Sequence, residues 1–319
     1  MKIVIAGATG LIGRALSTAL KRDGHEIVAL TRQPARAARR LPPGVRPVAW
    51  DGQRVGPWLD ELPGAGAVVN LAGESIGARP WTPARKAVLR ASRLLPTDAL
   101  VEALKRLDAT DRPPVLVSAS GVDYYGHRDE DDAVDESSRP GDDFLARLCV
   151  EWEAAARGAE SAVARVVLLR TALVLAPGAP ALRALALPFR LFLGGPVGDG
   201  RQWFSWVHLD DLIGLIRLAL EREDLRGPLN AVAPDARRQR EAARAIGAAL
   251  GRPSWLPAPR PLIRALLRDQ ADLLLHGRRA VPARALAAGY RFRRPELGPA
   301  LADALRGRSP VDGADRQPP

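Results

Sequence analysis

The chain has 319 residues, 47% of them apolar, and a formal net charge of +11, enough for one large domain plus a smaller one around a sizeable core. No apolar run approaches the eighteen or so residues of a membrane span and the start is not leader-like, so a soluble, cytoplasmic protein with no membrane partner is expected. One cysteine, four scattered histidines, 5% aromatic residues and arginines interspersed with acids exclude an intrachain disulfide and argue against a metal site and a nucleic-acid partner.

The first predicted strand, Lys2 to Ala6, runs into Gly7-Ala8-Thr9-Gly10-Leu11-Ile12-Gly13 and a helix over Leu11 to Arg22. Gly7 suits a tight turn out of the strand, Gly10 lets backbone amides approach a pyrophosphate, and Gly13 lets the helix pack closely on the strand. The positive helix end then faces the phosphates. The second strand, Glu26 to Leu30, ends in Thr31-Arg32, where a site for NAD places an acid. A guanidinium there matches a 2′-phosphate, so NADP(H) is the expected cofactor. Arg36, Arg39 and Arg40 read as solvated charges.

Strands are also expected at Val45 to Trp50, Ala67 to Leu71, Val115 to Ser118 and Ala164 to Leu169. Helices are expected at Val55 to Leu62, Thr82 to Leu107 and Phe144 to Arg157. This alternation predicts an α/β fold, a Rossmann-like doubly wound parallel sheet with ligands at the carboxyl ends of its strands. Leu71, Ala72, Gly73 and Glu74 occupy one such end and Ser118-Ala119-Ser120-Gly121 another. Asp51 contacts an adenine or caps its loop. Arg93, on the long helix, reaches a phosphate or ribose oxygen or pairs with a carboxylate.

From Pro180 the alternation breaks down, with helices expected at Ala181 to Phe192, Leu209 to Glu223, Gln239 to Leu250, Leu262 to His276 and Glu296 to Leu305. This stretch reads as a smaller mixed C-terminal substrate-side domain. The expected divisions are a nucleotide-binding domain over 1–230 with substrate-side segments from about 180, a C-terminal domain over 255–305, and a disordered tail over 308–319.

Asn70-Leu71-Ala72-Gly73-Glu74, Tyr124-Tyr125-Gly126, Leu169-Arg170-Thr171, the run Trp203 to Asp211 and Asn230-Ala231-Val232-Ala233-Pro234 join the glycine spacing in a resemblance. The chain resembles the atypical "epimerase family protein" branch of the extended short-chain dehydrogenase/reductases, which carries a C-terminal domain of unknown function, here from about Trp255 to Leu305. The resemblance spans almost the whole chain. It implies an NADP(H)-binding epimerase or oxidoreductase acting on a small molecule, with sugar nucleotides as the class the label suggests. It also implies a homodimer paired through the helices at Thr82 to Leu107 and Phe144 to Arg157.

The wider superfamily uses a tyrosine, a lysine four residues later and a serine. Alignment on Glu153 puts Leu145 at the tyrosine, Cys149 at the lysine and Gly121 at the serine, with Ser120 beside it. Leu145 and Gly121 have no group that moves a proton, and Cys149 reads as buried packing or a nucleophile. The remaining acid/base candidates are Ser120, Tyr124, Tyr125 and His208, the last beside Asp210 and Asp211, with Asp210 the expected helix cap. Trp81, Trp203 and Trp206 line a pocket or pack as core. The alternative is a non-catalytic NADPH-binding redox sensor or regulatory protein.

Overall fold

Strands β1 (Lys2–Ala6), β2 (Glu26–Thr31), β3 (Val45–Ala49), β4 (Ala65–Asn70) and β5 (Val115–Gly121) alternate with helices α1 (Leu11–Arg22), α2 (Pro34–Ala38) and α3 (Pro83–Arg106). After β5 come β6 (Ala133–Val134), α4 (Phe144–Arg157), β7 (Arg165–Thr171), β8 (Leu173–Leu175), α5 (Pro180–Arg190), β9 (Trp203–Phe204), β10 (Trp206–His208), α6 (Leu209–Glu221), β11 (Gly227–Ala231), β12 (Arg237–Arg238) and α7 (Gln239–Leu250). The C-terminal stretch adds α8 (Arg260–Leu267), α9 (Asp272–Leu275), β13 (Arg279–Ala280), α10 (Ala283–Ala287) and α11 (Leu297–Leu305). This computed structural model describes residues 1–128 and 131–307, so the expected disordered tail over 308–319 lies outside the described residues.

The main sheet has the order β11-β7-β5-β4-β1-β2-β3 with every neighbour parallel. Strands β1, β2 and β4 read as near-continuous apolar runs because both faces are covered, whereas edge strand β3 exposes Arg46. Successive residues belong to different cores: Ile3 and Ile5 of β1 pack with α1 and α6, whereas Val4 and Ala6 pack with α3 and α4. Cutting Ile5 to Ala would cost about 2–5 kcal/mol. The chain order reverses around β1, which has β2 on one side and β4 on the other, and such a reversal opens a crevice at the strands' carboxyl ends.

The expected strands of the first half form, with ends moved by a few residues. The expected helix Val55 to Leu62 is a 3₁₀ turn, Pro57–Glu61, and β11 is a sheet strand that the sequence reading did not single out. The expected helix Leu262 to His276 divides into α8, a 3₁₀ turn at Arg268–Ala271 and α9, with Arg268 at φ 51°. The break turns Gln270 inward, where its amide donates to Ile76 O at 3.2 Å.

The C-terminal stretch adds to the same core as the sheet. Leu297, Ala300, Leu301 and Ala304 of α11 pack in the cluster that contains Leu16 and Ile5. Short pairs stitch it down: β13 lies parallel to β6, and Arg128 N donates to Gly277 O at 2.8 Å.

Candidate cofactor and active site

Gly7 leaves β1 with φ +80°, and a Cβ there would meet Leu71 O at 2.5 Å. At Gly13 a Cβ would meet Gly7 O at 2.3 Å, so only a bare backbone permits α1 to lie this close to the strand. Gly10 is different: a Cβ there meets only Gly7 O, at 3.3 Å, and the space above it is open. Gly10 caps α1 without a side-chain bond. The helix start, which carries unpartnered amides and the positive end of the dipole, is therefore bare. Ala8 is buried beneath the turn, while Thr9, Leu11 and Ile12 are half-buried along it. The turn fits a dinucleotide pyrophosphate.

At the end of β2, Thr31 Oγ1 accepts from Gln33 N at 3.3 Å, and the next residue, Arg32, is exposed. Among the described residues Arg32 has no hydrogen bond or ion pair, which leaves its planar fork open to a phosphate. Asp51 Oδ1 accepts from Gln53 N at 2.8 Å and Arg54 N at 2.9 Å. It caps its own loop, and those amides hold its carboxyl below the usual range.

The turn after β4 is shaped from below. Buried Asn70 donates to Thr97 Oγ1 at 2.9 Å and accepts from Ala72 N at 3.2 Å, fixing the path of Leu71, Ala72, Gly73 and Glu74. Arg93 donates to Glu74 O and Leu89 O, both at 3.0 Å, and lies over the Trp152 ring. It has no carboxylate partner in the described residues, and burial lowers its pKa. Arg93 is thus a brace for the turn beside the expected ribose.

The acid/base candidates near β5 and β7 are bound to one another. Ser120 donates to Glu153 Oε1 at 2.8 Å, and Glu153 takes Arg170 in a bidentate pair at 2.7 and 2.9 Å. Arg170, 2% exposed, also donates to the Tyr125 hydroxyl at 3.0 Å, which donates to Asn230 Oδ1 at 2.7 Å. Burial pushes the Tyr125 phenol up to about 12. The Tyr124 ring stacks on the Arg170 guanidinium at 3.4 Å. Asn230 in turn donates to Val281 O at 2.9 Å, tying the sheet to the C-terminal stretch.

His208, 1% exposed, lies elsewhere. It is itself the cap of α6, accepting from Asp210 N at 3.2 Å, and this corrects the expectation that Asp210 is the cap. Its Nε2 faces Asp303 of α11 at 3.4 Å, and burial lowers its pKa. Asp211 accepts from Arg293 N at 2.7 Å and Arg294 N at 2.9 Å, so this motif anchors the C-terminal stretch. His208, Asp210 and Asp303 gather tightly enough to hold an ion, but Arg294 already sits 3.5 Å from Asp303. Leu145 and Cys149 are both buried on α4, and burial raises the thiol to about 12, far from a thiolate. Of the tryptophans, Trp81 and Trp206 are core, while Trp203 lies half-buried under Arg238.

Two pairs escaped the sequence reading. Asp123, in the turn after β5, is ion-paired with buried Arg278 from the C-terminal stretch, and its Oδ2 lies 3.2 Å from where a Cβ on Gly121 would stand. The carboxylate therefore sits beside the position the superfamily gives to its serine. The His127 and His276 rings stack at 4.2 Å and 7°, with His127 Nε2 3.6 Å from Asp143 Oδ2. Burial lowers the His127 pKa, which favours the neutral imidazole. These partners are far apart in the chain and carry no local spacing signal.

A parallel sheet with a glycine cradle at its reversal point defines a nucleotide-binding protein of the doubly wound class. The model of the NAD dependent epimerase/dehydratase family matches residues 3–231, and that of a domain of unknown function, DUF1731, matches residues 258–304. The chain belongs to the NAD dependent epimerase/dehydratase family. The epimerase family protein SDR39U1 of Bos taurus is 40% identical over 310 residues, covering 96% of this chain and all of its own length. The chloroplastic SDR39U1 homolog of Arabidopsis thaliana is 40% identical over 297 residues, 92% of this chain and 83% of that protein. The crystal structure of human SDR39U1 with NADPH matches with a TM-score of 0.85 at 38% identity, covering 96% of this chain and 99% of that one.

Proposed function

We propose that this chain binds NADP(H) on the β1–α1 turn and acts as an oxidoreductase or epimerase on a small molecule. The observation that carries the reading is the bare, open cradle at Gly10 together with unpartnered Arg32 at the end of β2. The NADPH held by human SDR39U1 supports it. Backbone amides of residues 11–13 hold the pyrophosphate above the open face of Gly10, Arg32 selects the 2′-phosphate, and the turn Leu71 to Glu74, braced by Arg93, lines the ribose. Bound there, the cofactor supplies or accepts a hydride. Proton transfer falls to Asp123, held by Arg278, and to His127 beside Asp143, because the tyrosine and lysine positions are Leu145 and Cys149. Sugar nucleotides are the first substrate class to screen, and no helix of the described residues is long and apolar enough to cross a membrane, in keeping with a cytoplasmic setting. Exposed Val88 and Leu95 on α3 and Val150 on α4 support pairing of two copies through these helices.

A titration with NADPH and with NADH, followed by nicotinamide fluorescence, tests the cofactor. Tight NADPH binding is expected, and absence of binding by either would overturn the reading. A second reading, an NADPH-binding sensor without turnover, is favoured by the way Ser120 and Tyr125 are tied into one buried network. Asp123→Asn separates the two. In an enzyme it removes NADPH oxidation with carbonyl or sugar-nucleotide substrates and leaves NADPH binding intact, whereas a sensor has no oxidation to lose.

A further inference from the structure

Large apolar side chains stand in solvent on the segments that follow α5 and α7. Leu191, Phe192 and Leu193 after α5, Trp255 (64%), and Leu262 and Leu266 (67%) of α8 are each more than half exposed. The two segments are joined: the Trp255 and Leu256 amides donate to Gly194 O at 3.0 and 3.1 Å, Ala258 N donates to Pro196 O at 2.8 Å, and the Trp255 indole donates to Phe192 O at 3.2 Å. Helix α8 continues from this ladder. Its leucines and Ile263 fall on one side and Arg260 and Arg264 beside that stripe on the other, yet none of its residues is buried. Phe192 is held at φ 63°, a left-handed conformation that bulky residues adopt only under constraint, with Arg252 4.5 Å above its ring. Several large apolar side chains exposed on joined segments mark a candidate interaction site.

Charge selects the occupant. In residues 180–198 and 242–268 every charged residue is an arginine. Arg190 and Arg268 are exposed and, among the described residues, have no ion pair. Arg264 is held by Asp272 at 3.3 Å. A second copy docking here about a two-fold axis would set these cations against their like, and a nucleic acid would leave the leucines facing phosphates.

We propose that this face docks on an anionic phospholipid surface, with Phe192, Trp255 and the α8 leucines at the acyl boundary and the arginines among the headgroups. The sequence expectation of no membrane partner rested on the length needed to span a bilayer, and a helix lying in the interface plane does not need that length.

The test is sedimentation of the full chain with vesicles of phosphatidylcholine alone and of phosphatidylcholine mixed with phosphatidylglycerol. The chain pellets with the anionic vesicles only, and added salt releases it. Phe192→Asp with Leu266→Asp weakens pelleting by about tenfold or more while thermal melting and NADPH titration stay unchanged, and Arg190→Glu with Arg268→Glu acts likewise. Failure to pellet with anionic vesicles, or equal pelleting of wild type and variants, overturns the proposal. Light scattering is the second readout: a dimer that dissolves in the Phe192/Leu266 variant reassigns the face to a second copy and also overturns it.

Discussion

At the carboxyl ends of β1 and β2 polar groups are left open, whereas at the carboxyl ends of β5 and β7 they close on one another. Gly10 N donates to Gly7 O, but the first turn of α1 beyond it presents backbone amides without a capping side chain, and Arg32 presents a guanidinium with no partner among the described residues. Ser120, Glu153, Arg170, Tyr125 and Asn230 form a buried chain in which each donor finds an acceptor. Open groups bind; satisfied buried groups hold architecture. The turn after β1 therefore stays open while the polar groups at the ends of β5 and β7 clamp the sheet to the C-terminal stretch.

Breaking the clamp gives the largest effect. Glu153→Gln leaves Arg170 charged, buried and unpaired, a loss of about 3–5 kcal/mol. Urea unfolding reads it, and a change under 1 kcal/mol would refute the clamp. Gly13→Val forces a side chain onto the Gly7 carbonyl and Gly10→Val fills the open space. Gly10→Val should abolish binding of both nicotinamide cofactors with little change in melting temperature, which sharpens the contrast between an open and a closed region.

Tyr125→Phe removes one hydroxyl from the clamp at a cost of about 1–3 kcal/mol. NADPH affinity and any turnover should survive it. A selective loss of turnover in a folded variant would return Tyr125 to catalysis.

The smallest effect is the pH dependence. His127 and His208 have folded pKa values lowered by burial. The unfolded chain binds protons below its own histidine pKa, about 6.5, where the folded chain resists them. Stability is therefore full above that pH and falls as pH drops through the window beneath it. Unfolding midpoints measured downward from about pH 7 should decline, and His127→Asn should flatten part of the slope; an unchanged slope would contradict the assignment.

The sheet was legible because β1, β2, β4, β5 and β7 are apolar runs with local turn signals, and the glycine turn has a steric reason at each position. Strand β11 was not singled out because Gly227 and Pro228 open a short edge strand that only its pairing with β7 reveals. The long helix expected after Leu262 carried an unbroken apolar period, and the inward turn of Gln270 toward Ile76 breaks it. The Asp123–Arg278 and His127–His276 pairs each join the β5 loop to the C-terminal stretch. No local pattern announces such contacts. Tyr125 was read as an acid/base candidate, and only the fold brings Arg170 and Asn230 to its hydroxyl.

The most direct test of the account is a paired titration of wild type and Arg32→Ala with NADPH and NADH. A charge-assisted hydrogen bond to the 2′-phosphate contributes about 1.5–3 kcal/mol, so the variant should lose about tenfold to a hundredfold in NADPH affinity and almost nothing for NADH. Equal losses for the two cofactors, or no binding of either by the wild type, would contradict it.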